Sequence, residues 1–162
     1  DKYLQLNQDV IVVSGSNNKA LLNLHLQTSH IIENTNYEQG MGKSIAVGVN
    51  YVQSHFPKAK GVFILTVDQP FIPLSHLKNM LAAFKSNTIV VSSSEKGYSG
   101  IPSLFSSAYF EELAALEDDQ GAKPLCFKRK TQLELVQTAH EDLDDMDTPE
   151  MYQKLKERLN LQ

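Results

Sequence analysis

The chain has 162 residues, 41% of them hydrophobic and 21% charged, the make-up of one soluble domain with an ordinary core. Its formal charge of −4 excludes broad electrostatic adhesion to nucleic acid or to an anionic membrane, and no apolar run reaches the length of a membrane span. The single cysteine, Cys126, excludes internal disulfides and thiolate zinc sites and, with no signal-peptide pattern at the start, points to a reducing, cytoplasmic setting.

Asp1 to Leu6 reads as the tail of a helix and runs almost at once into Val10-Ile11-Val12-Val13-Ser14-Gly15, a buried strand. A short helix is expected over Asn17 to Leu26, then a short strand over His30 to Asn34. Ser44 to Phe56 repeats Ile45, Val49, Val52 and Phe56 at helical spacing, and Pro57 and Gly61 close that unit. Gly61 to Val67 is an apolar run ending abruptly at Asp68-Gln69-Pro70, which is the profile of a strand buried on both faces with a carboxylate just past its end. Ser75 is expected to cap a helix whose inward stripe is Leu77, Met80, Leu81 and Phe84. Thr88 to Ser92 reads as a strand, Glu95 to Gly100 as a loop, and Pro102 to Phe105 as another extended piece. Tyr109, Leu113 and Leu116 mark a helix, Ala122 to Lys128 another, and Leu133 to Gln137 the last strand. Asp147 is placed to cap the final helix, with Glu150 completing a capping box, and that helix is expected to bury Met151, Tyr152, Leu155 and Leu159. Alternating strands and helices predict a mostly parallel, three-layer α/β sheet in a single domain over residues 1–162.

Asp68 is the first residue to explain, because ligands of open α/β sheets collect past the carboxyl ends of strands. It is equally suited to a turn role, bonding nearby backbone. The loop Tyr37 to Ser44 invites a phosphate-loop reading, since Gly42-Lys43-Ser44 opens a helix. That pattern fails, because Tyr37 stands where its first glycine is required. What survives is a helix start whose free amides, Lys43 and Ser44 suit a phosphate, against the alternative of an ordinary Gly-Ser helix start. If Asp68 and Asp147 meet at one sheet edge, the two carboxylates can hold Mg²⁺ among triphosphate oxygens. Asp118, Gln120, Gly121 and Lys123 could bind an anion or form a solvated turn.

Taken together these segments resemble the molybdenum cofactor nucleotidyltransferases, the molybdopterin cytidylyl- and guanylyltransferase-like proteins. Gly40-Met41-Gly42-Lys43-Ser44-Ile45 resembles their Gly-Met-Ser-Ser-Ser-Leu loop, and Asp68-Gln69-Pro70 their Asp-x-Pro metal site. Gly100 to Phe105 resembles their Gly-His-Pro-x-Leu-Phe strand, Asp119 to Lys123 their Asp-x-Gly-Ala-Arg turn, and Asp145 to Glu150 their Asp-Ile-Asp-Thr-Pro-Glu ending. Lys43 replaces a small hydroxyl residue of that pattern and Ile101 replaces its histidine. The family's glycine-rich triphosphate loop has no counterpart, so an upstream first strand and loop are expected.

The resemblance implies a Rossmann-like, glycosyltransferase-A-like fold and transfer of CMP from CTP to the phosphate of molybdopterin, with release of pyrophosphate. Asp68 and Asp147 would be the catalytic metal ligands for Mg²⁺. Gly40, Met41, Gly42, Lys43, Ser44, Gln69, Pro70, Gly100, Gly121 and Lys123 would line the nucleotide and cofactor side. A molybdoenzyme or its chaperone is the implied protein partner. Rival readings are a family member using GTP or another acceptor, a noncatalytic cofactor-binding domain, and a phosphate-loop hydrolase.

Overall fold

The computed structural model describes residues 3–6, 8–16, 30–117, 119 and 121–158; the helix expected over Asn17 to Leu26, and Leu159, lie outside them. Six strands are described: β1 (Ile11–Ser14), β2 (His30–Glu33), β3 (Gly61–Ile64), β4 (Ile89–Ser94), β5 (Gly97–Ser106) and β6 (Leu133–Gln137). Five helices accompany them: α1 (Met41–His55), α2 (Leu74–Ala83), α3 (Phe110–Ala114), α4 (Lys123–Lys128) and α5 (Pro149–Arg158). Tyr3–Leu6, read as a helix tail, forms a 3-10 turn. No helix among the described residues is long and apolar enough to cross a membrane.

The strands form two sheets, a parallel β1-β2 pair and a four-stranded sheet ordered β3-β5-β4-β6. In the larger sheet β4 and β6 are parallel, while β5 runs antiparallel to both β3 and β4. It follows that β3, β4 and β6 point the same way and β5 alone is reversed, so the sheet is mostly parallel as expected. β5 is longer than its motif suggested. A two-residue turn, Glu95-Lys96, joins it to β4 as a hairpin, pairing Ser94 with Gly97, and the strand therefore begins inside the segment read as loop.

Alternation along the strands makes three layers. Ile89, Val91 and Phe105 face a core shared with Ile45, Val49 and Val52 of α1, Phe110 and Leu113 of α3, and Leu125 and Cys126 of α4. Val90 and Leu104 point the other way, onto Met80 of α2. β3 divides likewise: Val62 and Ile64 pack on the first core and Phe63 on the second. Each fully buried aliphatic side chain contributes about 1.5–3 kcal/mol. Ile11 of β1 packs on the first core as well, and α1 thus overlies both sheets. β4, paired on both edges, is buried throughout, whereas every described position of β3 is only partly buried.

Two helix starts differ from expectation. The residue before α2 is Pro73, not Ser75, which lies exposed inside the first turn. Proline needs no N–H partner there and its fixed φ leads into the helix, so the chain turns two residues early. At α5 the cap is Thr148, whose Oγ1 accepts the Met151 N–H at 3.2 Å. Pro149 then occupies the first helical position, and Glu150 sits one residue short of where a capping box needs it. Tyr152 is 53% exposed instead of buried, while Leu155 is buried at 7%.

Candidate active site

The residues singled out by sequence fall into two groups, each past the carboxyl end of a strand. The first begins at the end of β2. Asn34, 2% exposed, continues the β1-β2 ladder by donating its N–H to the Ser14 carbonyl at 2.7 Å. The chain then turns through Tyr37–Gln39 into Gly40, whose φ of +100° is a conformation that side chains resist. α1 starts at Met41 with no side-chain cap, which leaves its first-turn amides open. Gly42 is buried, Lys43 and Ser44 are half-buried, and Met41 is 44% exposed.

The turn before α4 closes on this loop. A Cβ on Gly40 would come within 2.8 Å of the Asp119 Cα, and one on Gly121 within 3.0 Å of the Met41 sulfur. Gly40 therefore meets Asp119 backbone to backbone, and Gly121 packs against the Met41 side chain, which joins two segments far apart in sequence. Glu112 of α3 braces α4 beneath them, ion-paired to Lys128 at 3.1 Å and Arg129 at 2.8 Å. Its carboxyl, which burial alone would raise, is held below the ordinary range by those two cations. Lys123 is exposed at the first position of α4, a helix of only six residues. Asp118 and Gln120 lie outside the described residues.

The second group gathers around Asp68. Its carbonyl accepts the Met146 N–H at 2.8 Å, which draws the Asp145-Met146-Asp147 segment to the end of β3. Gln69 is buried at 5% and donates through Nε2 to the carbonyls of Leu143 (3.2 Å) and Ile101 (3.4 Å). It thereby ties β3, β5 and the 140–143 turn together. Gly100, φ +91°, and the cis Ile101-Pro102 bond shape the adjoining stretch of β5. Because Thr148 caps α5, Asp147 has no capping duty and its side chain is exposed.

Electrostatically this group is under-compensated. Asp68 Oδ1 and Gln69 Oε1 are enclosed without a hydrogen-bond partner. The Asp145 carboxyl is raised above its ordinary range by desolvation first and then by the charges of Asp68, Asp147 and Asp144, against a lowering pull from Gln69. Asp145 did not stand out in the sequence, although it opens the same acidic motif as Asp147. No three His, Cys, Asp or Glu side chains among the described residues converge into a ready metal site. The adjacent cavity, lined by Phe71, Asp144, Asp145, Met146 and Met151, measures about 80 Å³. That is far below the roughly 300 Å³ of a small cofactor pocket.

Residues 1–134 match the family model of the MobA-like NTP transferase domain. The chain belongs to the MobA-like NTP transferase family. Its similarity extends to the purine catabolism protein PucB of Bacillus subtilis (strain 168), 34% identical over 125 residues, which are 76% of this chain and 59% of that protein. The chain thus spans little more than half of that relative's length. Among solved structures, Rv0371c of Mycobacterium tuberculosis H37Rv superposes with a TM-score of 0.79 at 24% identity, covering 93% of this chain and 76% of its own. The same protein in complex with manganese gives 0.76 at 22%, covering 93% and 78%. The Rv0371c homologue from Mycobacterium sp. strain JC1 gives 0.75 at 24%, covering 96% and 77%. These likenesses place the mixed α/β architecture in the Rossmann-like nucleotidyltransferase fold of this family.

Proposed function

We propose that this chain carries the metal and loop side of a nucleotidyltransferase that moves CMP from CTP to the phosphate of molybdopterin. A phosphate oxygen of molybdopterin forms a bond to the α-phosphorus in line as the bond to the β-phosphate oxygen breaks, and pyrophosphate leaves with that electron pair. The observation that carries this reading is the enclosed, unpartnered Asp68 Oδ1 beside the segment bearing Asp147. A buried carboxylate oxygen without a donor is costly unless a cation completes it. Since no three His, Cys, Asp or Glu side chains among the described residues converge on a metal site, Asp68 and Asp147 suit Mg²⁺, which takes one or two carboxylates and keeps water and phosphate oxygens for the rest. When bound, that ion would neutralise charge on the triphosphate.

The remaining work falls to positioning. The open amides of α1, with Lys43 and Ser44, would hold an anionic group against the Gly40–Ser44 loop, whose backbone approach the missing Cβ atoms of Gly40 and Gly121 make possible. Gln69, Pro70 and Gly100 would shape the floor instead of touching the nucleotide; for Gln69, burial and its two carbonyl partners support that role. The same reading supplies the triphosphate loop from a strand upstream of this chain; β1 and β3 each have an edge unpaired among the described residues, under the same helix. The manganese bound by Rv0371c supports a divalent ion, and the cytoplasmic setting of such chemistry agrees with the lone, buried cysteine. The product would pass to a molybdoenzyme or its chaperone.

A second reading, a transferase of this family serving GTP or another acceptor, is favoured by the relative named for purine catabolism. Incubating full-length protein with Mg²⁺, molybdopterin and either CTP or GTP tests both. The proposal expects pyrophosphate and a CMP-bearing pterin, with kcat/KM favouring CTP. Preference for GTP selects the second reading; formation of a nucleoside diphosphate, or no turnover, contradicts the first.

A further inference from the structure

We infer that Gln69 is a positioning residue: its amide pins the acidic segment 143–146 to the end of β3, and so sets where Asp147 stands relative to Asp68 before any ion arrives. This role rests on the metal reading proposed above and extends it to a residue that touches neither ion nor nucleotide. The segment is held at two points, both from one dipeptide. Asp68 accepts the Met146 N–H on its carbonyl at 2.8 Å, and Gln69 Nε2 donates to the Leu143 carbonyl at 3.2 Å. The same nitrogen donates to the carbonyl of Ile101 in β5 at 3.4 Å, so the anchor is itself tied into the sheet. Gln69 is 5% exposed, and Pro70 after it disfavours a helical backbone there, which limits the ways the side chain can leave.

The direction of the amide follows from its partners. Two carbonyls face it, and a carbonyl can only accept, so turning the amide over would set Oε1 against both. Oε1 instead lies enclosed with no partner. An orphaned buried oxygen is destabilising, so the amide serves the fold through what its nitrogen holds. The load on that tie is electrostatic. Asp144 and Asp145 line one small cavity, and Met146, between Asp145 and Asp147, is bonded to Asp68, which brings like charges to one strand end. A single backbone bond through Met146 would leave the segment free to swing about it. A second tie at Leu143 removes that freedom. Lysine or arginine could hold the same carbonyls but would bring a positive charge that competes with a divalent ion. A neutral amide holds them and leaves the negative field intact.

Electron paramagnetic resonance of Mn²⁺ bound to full-length protein with CTP reads the effect. Gln69→Met, similar in shape and without a donor, is expected to weaken Mn²⁺ about tenfold, because the competent placement of the segment becomes one arrangement among several. At saturating Mn²⁺ the rate of nucleotidyl transfer should return to within about twofold of wild type, since the ion then supplies the ordering. In the Asp147→Asn background Gln69→Met should cost little more. The Met146 amide of the metal-free protein should exchange slowly with deuterated water, and about tenfold faster in Gln69→Met. Equal thermal midpoints identify variants that kept the fold; if Gln69→Met does not, Gln69→Asn, which is too short to reach Leu143, is read in its place. If neither folds, the wild-type Met146 amide decides: slow exchange supports the tie and free exchange overturns it. Unchanged Mn²⁺ affinity in Gln69→Met overturns the inference, as does an equal loss with and without the Asp147 carboxylate. A rate that stays low at saturating Mn²⁺ marks a general structural defect and overturns it too. A wild type that binds no Mn²⁺ overturns the metal reading as well.

Discussion

The two groups of site residues are held in opposite ways. Around Gly40 the chain is closely fitted: Asn34 spends both ends of its amide, and Asp119 packs where a Cβ on Gly40 would lie. Around Asp68 the backbone is anchored through Met146, but Asp68 Oδ1 and Gln69 Oε1 are left without partners and neighbouring carboxylates repel. One group is closely fitted. The other is left under-satisfied, and on the reading proposed above a cation would complete it.

The largest effect should come from the carboxylate group. Asp68→Asn and Asp147→Asn are each expected to lower the rate of nucleotidyl transfer by about 10²- to 10³-fold. Their thermal midpoints should hold or rise, because a repelling charge is removed. A variant that lost activity only by unfolding would erase the contrast. The loop group should behave in reverse. Gly40→Ala adds a Cβ within 2.8 Å of the Asp119 Cα at a φ of +100°, and a loss of about 1–3 kcal/mol in urea unfolding is expected.

A smaller effect concerns the buried contact between α2 and β4. His76 of α2 is 3% exposed and its Nε2 lies 2.8 Å from Ser92 Oγ of β4. Burial lowers its pKa below the usual 6.5, against the raising influence of Asp142 and the Gln137 backbone. Since the unfolded state takes up the proton first, this contribution to stability is present above pH 6.5 and is lost as pH falls below it toward the depressed folded value. Thermal midpoints measured across that window should decline in the wild type and decline less in His76→Gln; parallel curves would contradict that role for His76.

Much of this architecture can be read in the sequence, because the apolar runs that open β3 and β4 are strong and local. The strand expected over Gly61 to Val67 and buried on both faces nevertheless ends at Ile64, lies at the sheet edge among the described residues, and leaves Val67 93% exposed. Helix starts are less legible. Proline at 73 and 149 sets the entry geometry, and it does so whether or not a better capping side chain stands nearby. The long β5 was hidden by glycines and serines that read as loop, since pairing with β4 on one side and β3 on the other supplies what propensity does not. For the site, Asp68 and Asp147 were visible as carboxylates at element ends. Asn34 was not, although an asparagine two residues before another at a strand end is a common turn signal. Its reach to Ser44 depends on how α1 packs back on the β1-β2 pair, which no local pattern encodes.

The central claim, that Asp68 and Asp147 converge on one divalent ion, is tested most directly by binding of Mn²⁺ to full-length protein followed by electron paramagnetic resonance, with CTP present. The wild type should bind one tightly held ion, and Asp68→Asn and Asp147→Asn should each weaken it by at least about tenfold, with the double variant little worse than either. Undiminished Mn²⁺ binding by Asp147→Asn would contradict the claim and leave Asp68 without its partner.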